Sequence, residues 1–187
     1  MTDIRTGTTD TDTTDTDTTD TDTTGTDTTA RDGVVYRFEG RLTESLPVGL
    51  TPDGPRWDNH FGGKITEGEF AGAAVTGIDY FRVRADGVGV VDARELMTVD
   101  GHRVAVTVTG YILPPADLEA PPPEVLAAPD FTFPDVPFKI EAMAVFETGA
   151  PELAHLNRLA VIHNGTVNMA TGELHVEARR FGGTKTE

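Results

Sequence analysis

From Val34 onward the chain is a series of short runs in which apolar and polar side chains alternate. The runs are VVYRFEGRL (34–42), AGAAVTGIDYFRVR (71–84), VGVVDARELMTV (88–99), RVAVTVTGYIL (103–113), FKIEAMAVFET (138–148), RLAVIHNGTVNM (158–169) and ELHVEARRF (173–181). A period of two predicts β-strands with one face turned to a core, here seven or eight of them at hairpin spacing. Helical periodicity is nearly absent. The one candidate is APELAHLNR (150–158), a turn or two with Pro151 near its start. Because unpaired sheet edges template aggregation, so many strands imply a closed antiparallel barrel or sandwich.

One stretch breaks the meander. Residues 113–137, LPPADLEAPPPEVLAAPDFTFPDVP, hold eight of the chain's twelve prolines together with Phe131 and Phe133. Proline fixes φ and removes a backbone donor, which excludes a central strand. A loop of this length that carries aromatic residues is expected to lie over one barrel mouth as a lid.

Two Asp-Gly steps, Asp86-Gly87 and Asp100-Gly101, sit between alternating runs and predict two-residue type I′ hairpins. That register sets Asp79 opposite Arg94, and then Arg94 opposite Thr107, Asp92 opposite Thr109 and Val90 opposite Tyr111. One face carries Asp79, Phe81, Val83, Val90, Asp92, Arg94, Leu96, Ala105, Thr107, Thr109 and Tyr111. The other carries Tyr80, Arg82, Arg84, Val91, Ala93, Glu95, Met97, Val104, Val106 and Val108. Burying Arg82, Arg84 and Glu95 is costly, which favours the first face inside. The opposite choice makes Asp79 and Arg94 a surface pair, and a one-residue slip exchanges the two faces.

Charge and composition narrow the function classes. The net charge of −16 divides into −7 over residues 1–32, from nine Asp and two Arg, and −9 over the remainder. An acidic surface without a basic stripe argues against nucleic-acid partners and anionic membranes. Residues 10–30 repeat the unit Asp-Thr-Asp-Thr-Thr and contain nothing that fills a core, so residues 1–32 are expected to be a disordered tail. The barrel domain is placed at 33–182, with 183–187 a disordered end. There is no cysteine, which removes disulfides and thiol chemistry. No apolar run approaches a membrane span or a secretory leader, which points to a cytoplasmic protein. The five histidines lack metal-ligand spacing, and no phosphate loop, dinucleotide fingerprint or nucleophile elbow occurs, so neither a metal nor a cofactor is expected.

The segments FGGKITEGEFAGAAVTGIDYFRVRADGVGVVDARELMTVDGHRVAVTVTGY (61–111), FETGAPELAHLN (146–157) and HNGTVN (163–168) resemble the small β-barrels grouped as domain of unknown function 3237. The likeness covers about residues 34–180. Gly77, Asp79 and Tyr80 match a glycine, aspartate and aromatic step, Asp92 to Arg94 an Asp-Ala-Arg strand, and Leu156-Asn157 a later Leu-Asn. Tyr80 and His155 stand where that family usually has tryptophan or a similar aromatic. The resemblance implies a single calycin-like barrel and supplies no established reaction.

These residues define the candidate chemistry. A carboxylate inside an apolar barrel has its pKa raised by desolvation and lowered by a neighbouring guanidinium. Asp79 is therefore the expected base or anchor, Arg94 its orienting partner and Tyr111 a hydrogen-bond donor. Phe81, Asp92, Thr107 and Thr109 share their face. Trp57 and His60 lie in a loop entering the barrel, Phe131 and Phe133 in the lid, and His155 and Asn157 in the helical turn, which makes all of them candidate substrate contacts. A small-molecule partner follows, with a cofactor-independent isomerase or cyclase acting on a largely apolar secondary-metabolite intermediate as the leading function. The alternatives are a non-catalytic carrier or sensor, and a structural barrel that forms homo-oligomers and has no cavity above about 300 Å³.

Overall fold

A computed structural model describes residues 33–181. The Asp/Thr repeat expected to be a disordered tail and the last residues, 182–187, lie outside the described residues.

Eight antiparallel strands close into one barrel in which each pairs with its neighbours in sequence and the first pairs with the last. They are β1 (Val34–Thr51), β2 (Gly54–Gly68), β3 (Ala74–Val83), β4 (Gly89–Val99), β5 (His102–Leu113), β6 (Pro137–Glu147), β7 (Ala160–Asn168) and β8 (Glu173–Arg180). The strand not legible as an alternating run is β2. Its Gly62-Gly63 step and its charged outward residues hide a clear inward row of Trp57, Asn59, Phe61 and Ile65. Trp57 and His60 thus belong to a strand rather than an entry loop, and His60 points outward beside buried Asn59 and Phe61.

Closure leaves no free edge, and the inward side chains fill a largely aliphatic and aromatic interior. Met97, Val104, Val161 and Leu156 are almost completely buried. Leu156 comes from a 3-10 segment, Pro151–Arg158, that packs beside β6. The proline-rich connection between β5 and β6 forms one short helix, α1 (Pro123–Leu126), and folds over a barrel end. Phe133 anchors it, its ring 5.4 Å from Trp57, 6.3 Å from Phe138 and 5.1 Å from Phe131. No helix of the described residues is long and apolar enough to cross a membrane.

The two Asp-Gly turns differ, and the difference decides which residues enter the barrel. Asp100 and Gly101 both have positive φ (47° and 83°), and Val99 faces His102 in a two-residue turn. At Asp86-Gly87 only the glycine is left-handed (φ 81°). There the amide of Arg84 donates to Val88 O at 2.9 Å and that of Gly87 to Arg84 O at 2.9 Å, closing a three-residue loop, Ala85 to Gly87. A type I turn followed by a left-handed glycine gives this longer loop. The extra residue shifts β4 by one position, so Asp79 faces Ala93 and Arg94 faces Ile78. Pairing of β4 with β5 follows the expected register, and both strands are therefore turned over together. The inward row is Asp79, Phe81 and Val83 from β3, with Val91, Ala93, Glu95 and Met97 from β4 and Val104, Val106 and Val108 from β5.

Candidate functional site

The barrel interior holds five polar side chains in an otherwise apolar wall. Asp79, Asn59 and His163 are buried, Tyr36 is buried beside His163, and Glu95 opens onto the cavity that all five line. This cavity has a volume of about 70 Å³ and no Arg or Lys among its lining residues.

Asp79 and Asn59 face each other across β2 and β3. The Asp79 carboxylate accepts the backbone N–H of Asp92 at 2.9 Å. Strands β3 and β4 are unpaired between Asp79 and Arg82, so the side chain takes a donor that a continuous ladder would have used. Asn59 accepts from the Ser45 hydroxyl at 2.6 Å, and its Nδ2 has no hydrogen-bond partner among the described residues. Glu95 faces Gly77 across β3 and β4, and its carboxyl likewise has no such partner. A Cβ at Gly77 would meet the Phe61 ring at 2.6 Å, so only glycine admits that ring beside Glu95.

Burial governs the protonation of this cluster. Desolvation, helped by the nearby charges of Asp92 and Asp58, pushes Asp79 up to about 7 against the lowering effect of the Asp92 amide. Desolvation pushes Glu95 up to about 8, with the charge of Asp79 adding to it. No cation offsets either carboxyl. Across the interior the Tyr36 hydroxyl and His163 Nε2 lie 2.6 Å apart. Desolvation lowers His163 to about 4, so the imidazole is neutral near pH 7. Tyr36 is raised, first by burial and then by the charge of Glu95, so its phenol stays protonated. Near pH 7 the interior therefore combines one ionisable carboxylate, one protonated carboxylic acid, a neutral Tyr-His pair and a free amide donor.

The other expected site residues are placed as follows. Phe81 and Trp57 are inside, their rings 5.8 Å apart. Phe131 and Phe133 pack against the core from the proline-rich segment. Arg94 and Tyr111 are not beside Asp79, because the three-residue loop turns β4 and β5 over. Arg94 is exposed and donates to Asp92 at 2.6 Å, an ordinary surface pair. Tyr111 is exposed with the Arg84 guanidinium 6.0 Å from its ring centroid. Asp92, Thr107 and Thr109 occupy the same outer surface. His155 is exposed and pairs with Glu69 at 2.8 Å. Asn157 accepts the Thr148 amide at 2.8 Å and donates to the Thr148 carbonyl at 3.0 Å, which shapes the loop before the 3-10 segment. In their place the fold recruits Glu95, Asn59, Tyr36 and His163. The cost of burying charge argues for an outward Glu95, whereas the even spacing from Ala93 to Met97 is the sequence signal for an inward one.

Among the described residues no three His, Asp or Glu side chains are close enough to hold a metal ion. A second cavity of about 270 Å³ lies under the proline-rich segment, and Ile112 and Met169 line both cavities. Neither alone exceeds the size that the structural-barrel alternative was expected to lack.

A closed, meandering, antiparallel eight-stranded barrel makes this a calycin-like β-barrel protein. The chain belongs to the family described as protein of unknown function (DUF3237), which it matches over residues 33–180. Solved structures that share the fold include the following three. A β-barrel like protein from Acinetobacter baumannii has 21% identity and a TM-score of 0.60, covering 79% of this chain and 92% of its own. A conserved protein of unknown function from Rhodopseudomonas palustris has 20% identity and a TM-score of 0.59, with 79% and 94% covered. A protein with unknown function from Clostridium acetobutylicum has 18% identity and a TM-score of 0.61, with 79% and 95% covered. No curated protein matches the sequence.

Proposed function

We propose that the barrel is a cofactor-independent proton-transfer enzyme, an isomerase or cyclase acting on a small, largely apolar carbonyl compound. The observation that carries this reading is the pair Asp79 and Glu95, two carboxyls in an apolar cavity with no compensating cation. Such an arrangement costs stability, and the one structural contact of the pair, the bond of Asp79 to the Asp92 amide, leaves the Glu95 carboxyl without an offset. Pairs of titratable groups held apart in protonation are how a site supplies acid and base together.

In the reaction, ionised Asp79 removes a proton from the carbon next to the carbonyl. Protonated Glu95 donates to the carbonyl oxygen, and Asn59 Nδ2 donates to the same oxygen as the enol develops. Asp79 then returns its proton to a different carbon, while the oxygen returns its own to Glu95. The net change is a 1,3-proton shift, or ring closure when the enol carbon attacks a second electrophilic carbon. No oxidant or reductant is consumed.

The probe is 3-cyclohexenone, with its conversion to the conjugated enone followed by ultraviolet absorbance near pH 7.5. Catalysis above that of heat-unfolded protein, lost in Asp79→Asn and in Glu95→Gln, supports the reading. Undiminished turnover in folded Asp79→Asn eliminates it. Saturable binding of the ketone with no proton exchange supports instead a carrier or sensor, a reading favoured by the apolar outer chamber.

A further inference from the structure

The two cavities are neighbours that share lining residues. Ile112 and Met169 line both, and Met169 is an unbranched side chain that adapts its shape to its surroundings. The inner cavity, about 70 Å³, holds only a few heavy atoms and is lined by Asp79, Glu95, Asn59, Tyr36 and His163 among apolar side chains. The outer, about 270 Å³, has walls of Phe81, Phe131, Phe133, Phe138 and Leu126, with Glu119 its one charged residue. Joined, they reach roughly the low end of small-molecule pockets, about 300 Å³.

We propose that the two chambers are one site for an elongated, uncharged molecule, with a small carbonyl head on Asp79 and Glu95 and an apolar cyclic or branched tail under the proline-rich segment. This rests on the reading that the carboxyls act on a ligand in the inner cavity. An anionic head is excluded by charge, since it would sit beside two acids with no Arg or Lys lining the cavity. A cationic head would hold both carboxyls ionised and remove the acid that the chemistry needs.

The outer chamber is roofed by the proline-rich segment. The proline-rich segment contributes Leu118, Ala120 and Leu126 to its roof. It is seated at two points, Phe133 among Trp57, Phe81 and Phe138, and Ala120 against Gly87 of the β3–β4 turn. A Cβ at Gly87 would come within 2.4 Å of the Ala120 Cβ, so the turn and the roof touch with no space for a side chain. The roof therefore sets the length and girth of the tail, while the inner cavity selects the head.

The experiment measures binding of cyclohexanone and its 4-methyl, 4-propyl and 4-pentyl derivatives to the full chain. Trp57, the chain's one tryptophan, reports through its fluorescence because its ring meets edge-on that of Phe133, which lines the outer chamber. Affinity is expected to rise up to about fourfold per added methylene until the chamber is full. In Ala120→Trp, which fills the roof, the ratio of 4-pentyl to unsubstituted affinity is expected to fall close to one. Because that variant can displace the segment, the second measurement is magnetisation transfer from the pentyl protons to the methyls of Leu118 and Leu126. Affinity independent of tail length overturns the proposal, as does an amine or carboxylate with the same tail that binds more tightly than the ketone. Tail dependence without turnover leaves the two-chamber site standing and removes the catalytic reading. Turnover lost in Asp79→Asn without tail dependence does the reverse.

Discussion

The carboxylate of Asp79 holds the backbone N–H of Asp92 at 2.9 Å, inside the barrel and across the unpaired part of β3 and β4. This one bond joins the outer surface to the interior. The side chain of Asp92 faces out to Arg94, while its amide stabilises the buried acid next door.

Stability should fall as pH rises through the neutral range. Asp79 and Glu95 titrate at about 7 and about 8 in the folded protein, and near 4 when unfolded. Between about pH 4 and 8 the folded state binds more protons, so each added pH unit removes stability. Asp79→Asn and Glu95→Gln are each expected to be about 2–4 kcal/mol more stable than the parent at pH 9 and equal to it at pH 4. His163, lowered to about 4, acts in the other direction and costs stability as pH falls below about 6.5. Urea denaturation across pH, followed by Trp57 fluorescence, checks both slopes. Parallel curves for parent and variants would mean that these carboxyls are ordinary.

Tyr36→Phe removes the partner of a buried imidazole. The lone His163 is then left unsatisfied at a cost of about 1–3 kcal/mol. Adding His163→Leu should recover much of that loss, because replacing both partners leaves no orphan. A double-mutant cycle in urea measures the interaction, and additive losses would exclude it.

Gly87 and Gly101 both have left-handed φ, 81° and 83°, yet only Gly87 touches the proline-rich segment. Alanine at Gly101 meets nothing within 4 Å and should cost roughly 1 kcal/mol from backbone strain alone. Alanine at Gly87 adds a clash with Ala120, so its cost should exceed that value and shift Trp57 emission to the red. Equal costs with unshifted emission would place the segment away from the turn.

Arg94→Ala deletes an exposed ion pair with Asp92 and nothing inside. Its effect on stability should stay within about 0.5 kcal/mol. The pKa of Asp79, read from the pH dependence of its carboxyl carbon resonance, should stay near its parent value. A large downward or upward shift would return Arg94 to the site.

Much of the architecture was legible from pattern. Alternation from Val34 onward identified strands, the prolines between β5 and β6 marked the cover of a mouth, and Asp100-Gly101 set its hairpin correctly. The candidate site was half legible. Asp79, Phe81, Trp57 and Phe133 meet at or near the interior, while Arg94 and Tyr111 do not. The dipeptide Asp-Gly serves both a two-residue turn and the end of a three-residue loop, and only the torsion of the aspartate separates them. It is φ 47° at Asp100, and no positive φ occurs at Asp86.

By itself, then, the sequence determined that this chain makes antiparallel strands, closes its edges and sets Asp79 in one row with Phe81 and Val83, because side-chain period and turn residues are local properties. Which residues share that interior was decided only by the tertiary structure. One extra loop residue reverses every side chain on β4 and β5, bringing Glu95 in and sending Arg94 out. Barrel closure sets Tyr36 of the first strand against His163, 127 positions away. No local pattern encodes such a contact, since it depends on how all eight strands are staggered around the ring.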